Sequence, residues 1–465
     1  MEKNARSECD ELLFLCTSAL RRLENFKKNN KISSKILDET IVAYQKIEQD
    51  FDNSSAEKLR ELQGITAAIL ASTDWQSPSY AHSINSKAGS QTGKIDGTIN
   101  DYKRDRHLDA EQYERAFRAS YIDAPLRLPP NVLVTSSGMS AFTTILLSLQ
   151  LDGMIDGPVV AGVSTYFESK LILESFCREH LTYVDEMDVD ALLAAVKKIQ
   201  PSVIFLDSLC NTETIAMPDL TRIITRLAKE ITRPTTLVLD NTGLSIMYQP
   251  LKDMPLVPSK LTLIVFESLN KYHQFGLDRV TGGVIWTSAI SSCRLLLWRM
   301  HFGTIMPDAS VLALPEPNRA LLENLILRMQ RNASYLTAII DEHLRVQKKS
   351  PFSHVVYPGL PTYTGYDWTC SKKFHGSFFV LAPKSHQSKI VLYKKFIRRA
   401  IALAKKHRVD LVAGTSFGMD TTRVYLTALH ADKDTQPFLR ISVGTESIAT
   451  TKKLAQIFIE TIDQI

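Results

Sequence analysis

The sequence predicts an α/β fold built on a mostly parallel central sheet that helices cover. After Pro130, short apolar runs alternate with stretches of helical periodicity. Each run is almost continuously apolar, which is typical of parallel strands that are buried on both faces. The runs that we expect to form strands are 132–135, 159–163, 203–206, 237–239, 261–266 and 283–286.

The segment before this region has a different pattern. Residues 1–72 place apolar side chains at helical spacing among many charges and contain no proline, so we expect an added helical segment. Residues 77–102 are rich in Ser, Gly, Asn and Thr, which indicates an extended arm or a loop. We therefore assign residues 1–75 to an N-terminal helical extension, and residues 76–299 to the arm and a large domain.

The last third of the chain predicts a smaller domain. From about Met300 the pattern favours one long helix that runs to Leu336, followed by a loop at residues 357–361. A final α+β stretch ends in a helix that begins at Ser447. We assign residues 300–465 to this C-terminal domain.

Composition excludes several classes of protein. The formal charge of +5, from 55 basic and 50 acidic residues, is small and dispersed, so we expect no nucleic-acid partner. Six cysteines occur without a Cys-x-x-Cys pair, so we expect no metal site, no disulfide framework and a reducing, cytoplasmic location. Neither a signal-like N-terminus nor a run of about 18 apolar residues is found, which argues against secretion and membrane spanning.

Two of the expected strands end in residues that suit one cofactor. Asp240 follows the run 237–239, and Ser268 and Lys271 follow the run 261–266. An enzyme that holds pyridoxal phosphate needs a lysine amine to form a Schiff base, and a carboxylate to pair with the pyridinium nitrogen. The freed lysine amine is then the natural base for the Cα proton of a substrate. Taken singly, Asp240 fits a turn cap equally well, and most lysines lie on the surface.

A glycine-containing turn follows the first expected strand. Gly138 and Met139 open a helix there, and exposed backbone amides at a helix N-terminus favour a phosphate group. A helix entry of this kind is structural more often than functional. Asn211 ends another strand, where it can donate to the phenolic oxygen of a cofactor ring or simply serve as a turn residue.

Two further side chains stand at expected strand positions. Tyr166 follows the run 159–163, so its ring can stack on a cofactor or be an ordinary half-buried aromatic. Arg440 lies within the apolar run 438–443, where a guanidinium requires a bidentate anion such as an amino-acid carboxylate, or a structural ion pair.

The order of these motifs resembles that of the Cys/Met-metabolism family of fold-type-I pyridoxal-phosphate enzymes, which includes cystathionine γ-synthase, the cystathionine lyases and methionine γ-lyase. The resemblance begins near Tyr102 and rests on the motifs Ser-Gly-Met, Asp-Asn-Thr, Ser-x-x-Lys-Tyr, Tyr-Pro-Gly-Leu-Pro and Arg-x-Ser-Val-Gly-x-Glu. It implies Lys271 as the Schiff-base lysine, Asp240 as the partner of the ring nitrogen and Tyr166 as a stacking and acid/base residue.

The same resemblance implies the remaining contacts. Gly138, Met139 and Ser268 would bind the phosphate, and Arg440 would bind the substrate carboxylate. Tyr102 and Arg104 are similar to a Tyr-x-Arg pair that reaches the phosphate of a neighbouring subunit, which implies a homodimer or a homotetramer.

The reaction implied is β- or γ-elimination, or γ-replacement, at a sulfur- or oxygen-linked side chain of an amino acid. S-adenosylmethionine, an activated homoserine, cystathionine and methionine are all candidate substrates. The sequence departs from the family at Asn270, where Thr is common, at residues 107–109, where Asn-Pro-Thr is usual, and at residues 414–418. These departures favour a specialised biosynthetic reaction, such as γ-replacement with a carbon nucleophile. An aminotransferase and a catalytically silent scaffold are the alternatives.

Overall fold

The computed structural model describes residues 2–30, 34–51, 55–72, 103–124, 129–256, 259–288, 293–347, 349–384, 389–427 and 436–465. The chain divides into two compact units. The first unit contains Met1–Ile122, Pro130–Asp152 and Glu267–Leu321, and the second contains Asp123–Pro129, Gly153–Phe266 and Leu322–Ile465. The arm expected at residues 77–102, including Tyr102, lies outside the described residues.

The described elements alternate as an α/β fold requires. The helices are α1 (Glu2–Asn30), α2 (Lys35–Gln49), α3 (Ser55–Ala71), α4 (Leu108–Tyr121), α5 (Gly138–Leu151), α6 (Phe167–Phe176), α7 (Val189–Ile199), α8 (Leu220–Glu230), α9 (Leu295–Phe302), α10 (Asp308–Ala313), α11 (Arg319–Val346), α12 (Tyr366–Thr369), α13 (Lys389–Lys406) and α14 (Ile448–Asp463). The strands are β1 (Asn131–Thr135), β2 (Val159–Gly162), β3 (Leu181–Val184), β4 (Val203–Asp207), β5 (Thr235–Asp240), β6 (Leu261–Ser268), β7 (Gly283–Thr287), β8 (Phe352–Val356), β9 (Phe378–Pro383), β10 (Arg423–Thr427) and β11 (Phe438–Ser442).

The larger sheet has seven strands in the order β1-β7-β6-β5-β4-β2-β3. The pairs β2–β3, β2–β4, β4–β5 and β5–β6 are parallel, whereas β1 and β7 are antiparallel. Every residue of β2 and β4 is buried, as the continuous apolar runs predict. The prediction of a mostly parallel, helix-covered sheet is confirmed.

The N-terminal helices belong to the first unit. Ser34 caps α2, where its side chain accepts a hydrogen bond from the N–H of Leu37. The Tyr44 and Thr66 hydroxyls lie 2.9 Å apart between α2 and α3, and Ala67 of α3 packs against Leu312 of α10. The helices expected in this segment are therefore present, and they are packed onto the unit rather than isolated.

The second unit also contains a smaller antiparallel sheet in the order β10-β11-β9-β8. Its apolar face forms a core with α11, α13 and α14, in which Phe352, Phe396 and Phe458 are fully buried. Tyr363 contacts the loop that follows β4, because its hydroxyl donates to the Ile215 carbonyl at 2.9 Å. The expected C-terminal α+β region is thus confirmed as a fold element.

Two local expectations differ from the structure. The long helix expected from about Met300 begins only at Arg319, because α9 ends at Gly303, which has φ +66°, and prolines follow before α11. Strand β3 was not expected, since its pattern of half-exposed residues lacks the continuous apolar character of the other strands.

Candidate functional site

The loop that carries Lys271 is held rigidly within the first unit. Lys271 is half-buried and immediately precedes a short 3-10 helix, Tyr272–Gln274. The side chain of Gln274 donates to the Leu269 carbonyl at 3.1 Å and accepts the N–H of Arg279 at 2.7 Å. These bonds close the loop on both sides of Lys271 and restrict where its amine can lie.

Asn270, the departure next to Lys271, has a structural role in this loop. Its side-chain oxygen accepts the N–H of Gly282 at 2.8 Å, and the N–H of Leu269 donates to the Gly282 carbonyl at 2.8 Å. Asn270 thus ties the segment after β6 to the segment before β7. Asn270, which stands where Thr is common in the family, therefore helps to hold this loop in place.

The turn before α5 forms a cradle with Ser268. Ser137 caps α5, with its hydroxyl oxygen accepting the N–H of Ser140 at 2.9 Å. A Cβ added at Gly138 would lie 2.8 Å from the Ser268 Cβ and 3.2 Å from its hydroxyl oxygen. Only glycine therefore allows Ser268 to lie this close to the first turn. Because an α-helix offers no internal partner to its first N–H groups, those of Gly138 and Met139 suit an anion beside the Ser268 hydroxyl.

Arg104 is the described member of the predicted Tyr-x-Arg pair. It lies in the turn before α4, with its side chain 53% exposed and its Nε 3.5 Å from Asp105. Its partner Tyr102 lies outside the described residues.

The second unit links four of the predicted residues, because Arg440 bonds to Asn211, and both Arg440 and Asp240 act electrostatically on Tyr166. Arg440 is buried in β11 and donates to the Asn211 side-chain oxygen at 2.7 Å and to the Ser416 carbonyl at 3.1 Å. Its guanidinium also lies over the Phe378 ring at 5.6 Å. These contacts fix the planar fork of Arg440, and the bond from Arg440 orients the Asn211 amide with its NH₂ group available as a donor.

Tyr166 follows β2 and Asp240 ends β5, and both of these strands pair with β4 in this unit. Burial and the Glu168 carboxylate raise the pKa of the Tyr166 phenol, and the Asp240 charge adds to that effect, whereas Arg440 opposes it. Tyr166 therefore keeps its proton at neutral pH. The Asp240 carboxylate is half-buried and accepts the N–H of Thr242 at 2.9 Å, which holds it at the end of β5.

Asp207 is a site residue that the sequence analysis did not single out. It stands opposite Asp240 in the β4–β5 pair, and its carboxyl accepts the N–H of Tyr166 at 3.0 Å. Burial raises the pKa of Asp207 well above its usual range, and the charge of Asp240 contributes further. The signal was available, since Asp207 ends a buried strand as Asp240 does.

Neither a membrane helix nor a metal cluster is present in the described part of the chain. Over those ranges, no helix has the length and apolar character needed to cross a membrane. The same ranges contain no group of three or more His, Cys, Asp or Glu side chains that could hold a metal ion.

Solved structures establish the class of protein that this fold represents. The chain is similar to cystathionine γ-synthase from Xanthomonas oryzae pv. oryzae, with a TM-score of 0.62 and 18% identity over 80% of this chain and 90% of that one. It is also similar to a methionine γ-lyase from Micromonospora echinospora, with a TM-score of 0.60 and 19% identity over 78% and 88% of the two chains. The fold is that of the fold-type-I pyridoxal-phosphate enzymes.

A model of the Cys/Met metabolism PLP-dependent enzymes matches residues 55–453, so this chain belongs to that family, whose cofactor is pyridoxal phosphate. The match begins at the first residue of α3, earlier than the resemblance near Tyr102. A curated relative, the bifunctional enzyme flvA of Aspergillus flavus, is 27% identical over 325 residues, which are 68% of this chain and 37% of that protein. The chain thus spans little more than a third of the length of this relative.

Proposed function

We propose that this protein is a lyase or transferase that removes the Cα proton of an amino acid and then eliminates or replaces a group on Cβ or Cγ. The observation that carries the proposal is the arrangement in the second unit. There, a fixed guanidinium, Arg440, bonds to Asn211 and acts electrostatically on Tyr166 together with Asp240. When bound, pyridoxal phosphate supplies an aldehyde that captures amines and a ring that withdraws electrons from Cα.

The first unit supplies the groups that we assign to the phosphate and the aldehyde. The amides of Gly138 and Met139 and the hydroxyl of Ser268 bind the phosphate, which the close approach of Ser268 to Gly138 supports. Lys271 holds the aldehyde and later receives the Cα proton on its amine. The bonds of Asn270 and Gln274 keep that amine in place.

The second unit supplies the groups that we assign to the ring. The Asp240 carboxylate pairs with the ring nitrogen, and the Asn211 NH₂ group donates to the phenolic oxygen. Tyr166 stacks on the ring and, since burial keeps its phenol protonated, donates a proton to the leaving group. Asp207 holds the backbone of Tyr166. If the group leaves from Cγ, a proton must also leave Cβ, so Lys271 and Tyr166 move protons in turn.

Substrate choice follows from Arg440 and from the relatives. A rigid fork that already has Asn211 and Ser416 as neighbours suits the two oxygens of an amino-acid carboxylate. The solved relatives are named as synthases and lyases of sulfur amino acids, which supports a sulfur- or oxygen-linked leaving group such as that of S-adenosylmethionine, cystathionine, methionine or an O-acyl-homoserine. The departures from the family favour γ-replacement in specialised biosynthesis.

We further propose a homodimer or homotetramer in which Tyr102 and Arg104 reach the phosphate of a neighbouring subunit. The exposed side chain of Arg104 supports this assignment. The scattered cysteines support a cytoplasmic location.

The decisive experiment is to load the purified protein with pyridoxal phosphate, reduce it with borohydride and locate the adduct by mass spectrometry. We expect the label on Lys271 and its loss in Lys271→Ala. The matched control is Lys260→Ala, which removes an exposed lysine near the start of β6 and should leave the label unchanged. A label that persists in Lys271→Ala contradicts the proposal. A wild-type protein that takes up no cofactor also contradicts it and would identify a catalytically silent scaffold.

The reaction type is tested with a panel of amino acids and sulfonium compounds. Elimination releases ammonia and a keto acid, replacement joins a nucleophile to Cβ or Cγ, and both leave the cofactor as the aldehyde. Accumulation of pyridoxamine phosphate in a single turnover would instead identify an aminotransferase and would overturn the proposed reaction.

A further inference from the structure

Asp308, the first residue of α10, joins two side chains of the segment that precedes α4. Its carboxylate lies 2.5 Å from the Lys103 ammonium and 2.8 Å from the His107 Nε2. All three side chains are at least nine-tenths buried. Although burial alone would raise the pKa of Asp308, the hydrogen bonds from His107 and Lys103 hold it below its usual value. The carboxylate is therefore ionised and paired on both oxygens.

His107 has a second role that fixes its ring. It caps α4, and its Nδ1 accepts the N–H of Ala110 at 3.4 Å. Because Nδ1 is turned to the helix, the other ring nitrogen, Nε2, is the one that lies beside Asp308. This explains the departure from the Asn-Pro-Thr usual in the family: the imidazole provides a cap, as asparagine does, and also reaches Asp308.

The buried position of Lys103 leaves the side chain of the next residue, Arg104, on the outside of the turn. Lys103 is only 6% exposed and points to Asp308, whereas the adjacent Arg104 is exposed and points outward. A buried ammonium cannot leave its carboxylate without a large loss of stability, so the turn at residues 103–105 is fixed at its first residue, Lys103. Arg104 therefore lies in a turn whose position is fixed by this ion pair.

We propose that Lys103, His107 and Asp308 form a clamp that presents Arg104 to the phosphate site of a neighbouring subunit, with Asp308 as its central positioning residue. The inference rests on the proposed function, because it needs Arg104 to contact a phosphate. It adds that the contact depends on an ion cluster inside the subunit that donates the arginine.

The test measures the dissociation constant for pyridoxal phosphate in the full-length protein. We expect Arg104→Ala to weaken cofactor binding by about tenfold to a hundredfold, which corresponds to the loss of one or two charged hydrogen bonds. We expect Asp308→Asn to weaken cofactor binding by about tenfold. The double variant should bind no more weakly than Arg104→Ala alone, because Asp308 acts through Arg104. A purely structural role of Asp308 would instead make the two losses add.

Two further variants separate a loss of cofactor affinity from a loss of protein stability. His107→Asn keeps a capping side chain and loses the contact with Asp308, so it should fold and weaken cofactor binding by a few fold. Glu114→Gln breaks another buried ion pair of the same unit, with Arg299, and should lower thermal stability while leaving cofactor affinity unchanged.

The outcomes separate the two proposals. If Arg104→Ala weakens binding but Asp308→Asn and His107→Asn do not, or if the losses add in the double variant, the clamp is overturned and the phosphate role of Arg104 survives. If Arg104→Ala leaves the affinity unchanged, both are overturned. An equal loss of affinity in Glu114→Gln would also overturn the clamp.

Discussion

The Arg440 guanidinium donates a hydrogen bond of 2.7 Å to the side-chain oxygen of Asn211, which lies 229 residues earlier in the chain. The same guanidinium donates to the Ser416 carbonyl, whose residue has φ +75°. A non-glycine residue in this conformation is strained, so the loop at 414–418 is held in a particular shape beside Arg440. This loop is one of the places where the sequence departs from the family.

The Arg440–Asn211 bond predicts how two substitutions change KM for the amino acid. Arg440→Lys keeps the charge but loses the fork, so we expect KM for the amino acid to rise by about tenfold to a hundredfold while cofactor absorbance is retained. Asn211→Ala should raise KM less, by a few fold, since Arg440 keeps its bond to Ser416. Steady-state kinetics of the loaded enzyme measure both. An unchanged KM in Arg440→Lys would show that the guanidinium is a structural residue.

Gly138→Ala should selectively weaken cofactor binding. The added Cβ would lie 2.8 Å from that of Ser268, so the first turn of α5 or Ser268 must move. We expect the dissociation constant for pyridoxal phosphate to rise by at least about tenfold. The matched control is Gly64→Ala in α3, where a Cβ meets nothing within 4 Å and should stabilise the helix by about 0.5–1 kcal/mol. Equal affinities in the two variants would contradict the phosphate assignment.

Asn270 predicts a difference between two substitutions at its position. Asn270→Asp keeps an oxygen that accepts the Gly282 N–H, whereas Asn270→Ala removes it at a cost of about 1–2 kcal/mol. We expect Asn270→Ala to lower both kcat and thermal stability and Asn270→Asp to stay closer to the wild type. If the alanine variant retains full kcat, the bond does not position Lys271.

Much of the fold could be predicted because each buried parallel strand is a continuous apolar run. Strand β3 was missed because its edge position leaves its residues half-exposed, so the run is interrupted. The start of α11 was misplaced because apolar periodicity continues through α9 and α10, while Gly303 and the prolines end the helix there. Periodicity identifies buried faces better than it identifies helix ends.

The candidate site was predictable residue by residue but not as a set of contacts. Asp240, Asn211 and Tyr166 each follow a strand, and that position is visible in the sequence. The bond from Arg440 to Asn211 and the link from Asp308 to Lys103 and His107 join residues about 200 or more positions apart, so no local pattern predicts them. Asp207 ends a buried strand as Asp240 does, but its contact with the backbone of Tyr166, 41 residues earlier, has no local signature.

Glu446 predicts a pH dependence of stability. Burial raises the pKa of this carboxyl from 4.5 to about 7, even though it accepts the N–H of Thr422. A raised folded pKa means that the folded chain binds more protons than the unfolded chain between pH 4.5 and about 7. The stability contributed by the protonated carboxyl is therefore present below pH 4.5 and is lost as the pH rises to about 7. The loss is on the order of 3 kcal/mol.

Glu446→Gln tests that dependence, because an amide is neutral at every pH and its oxygen can still accept the Thr422 N–H. Chemical unfolding at pH 5 and pH 8 should show the variant gaining stability over the wild type at pH 8 and little difference at pH 5. A variant that is destabilised equally at both values would mean that the carboxylate is charged and useful in the folded protein.

Shared active sites predict complementation between Lys271→Ala and Arg104→Ala when pyridoxal phosphate is too dilute to load the Arg104→Ala dimer. If Arg104 acts on the neighbouring subunit, a dimer of one Lys271→Ala chain and one Arg104→Ala chain contains one site with both residues intact, while both defects fall in the other site. Random exchange of equal amounts would then restore about a quarter of the wild-type activity, since half of the dimers are mixed and each has one complete site. Each variant taken alone through the same exchange is the control. If Arg104 instead serves its own chain, every site of the mixed dimer lacks one residue and the activity stays at the level of the separate variants.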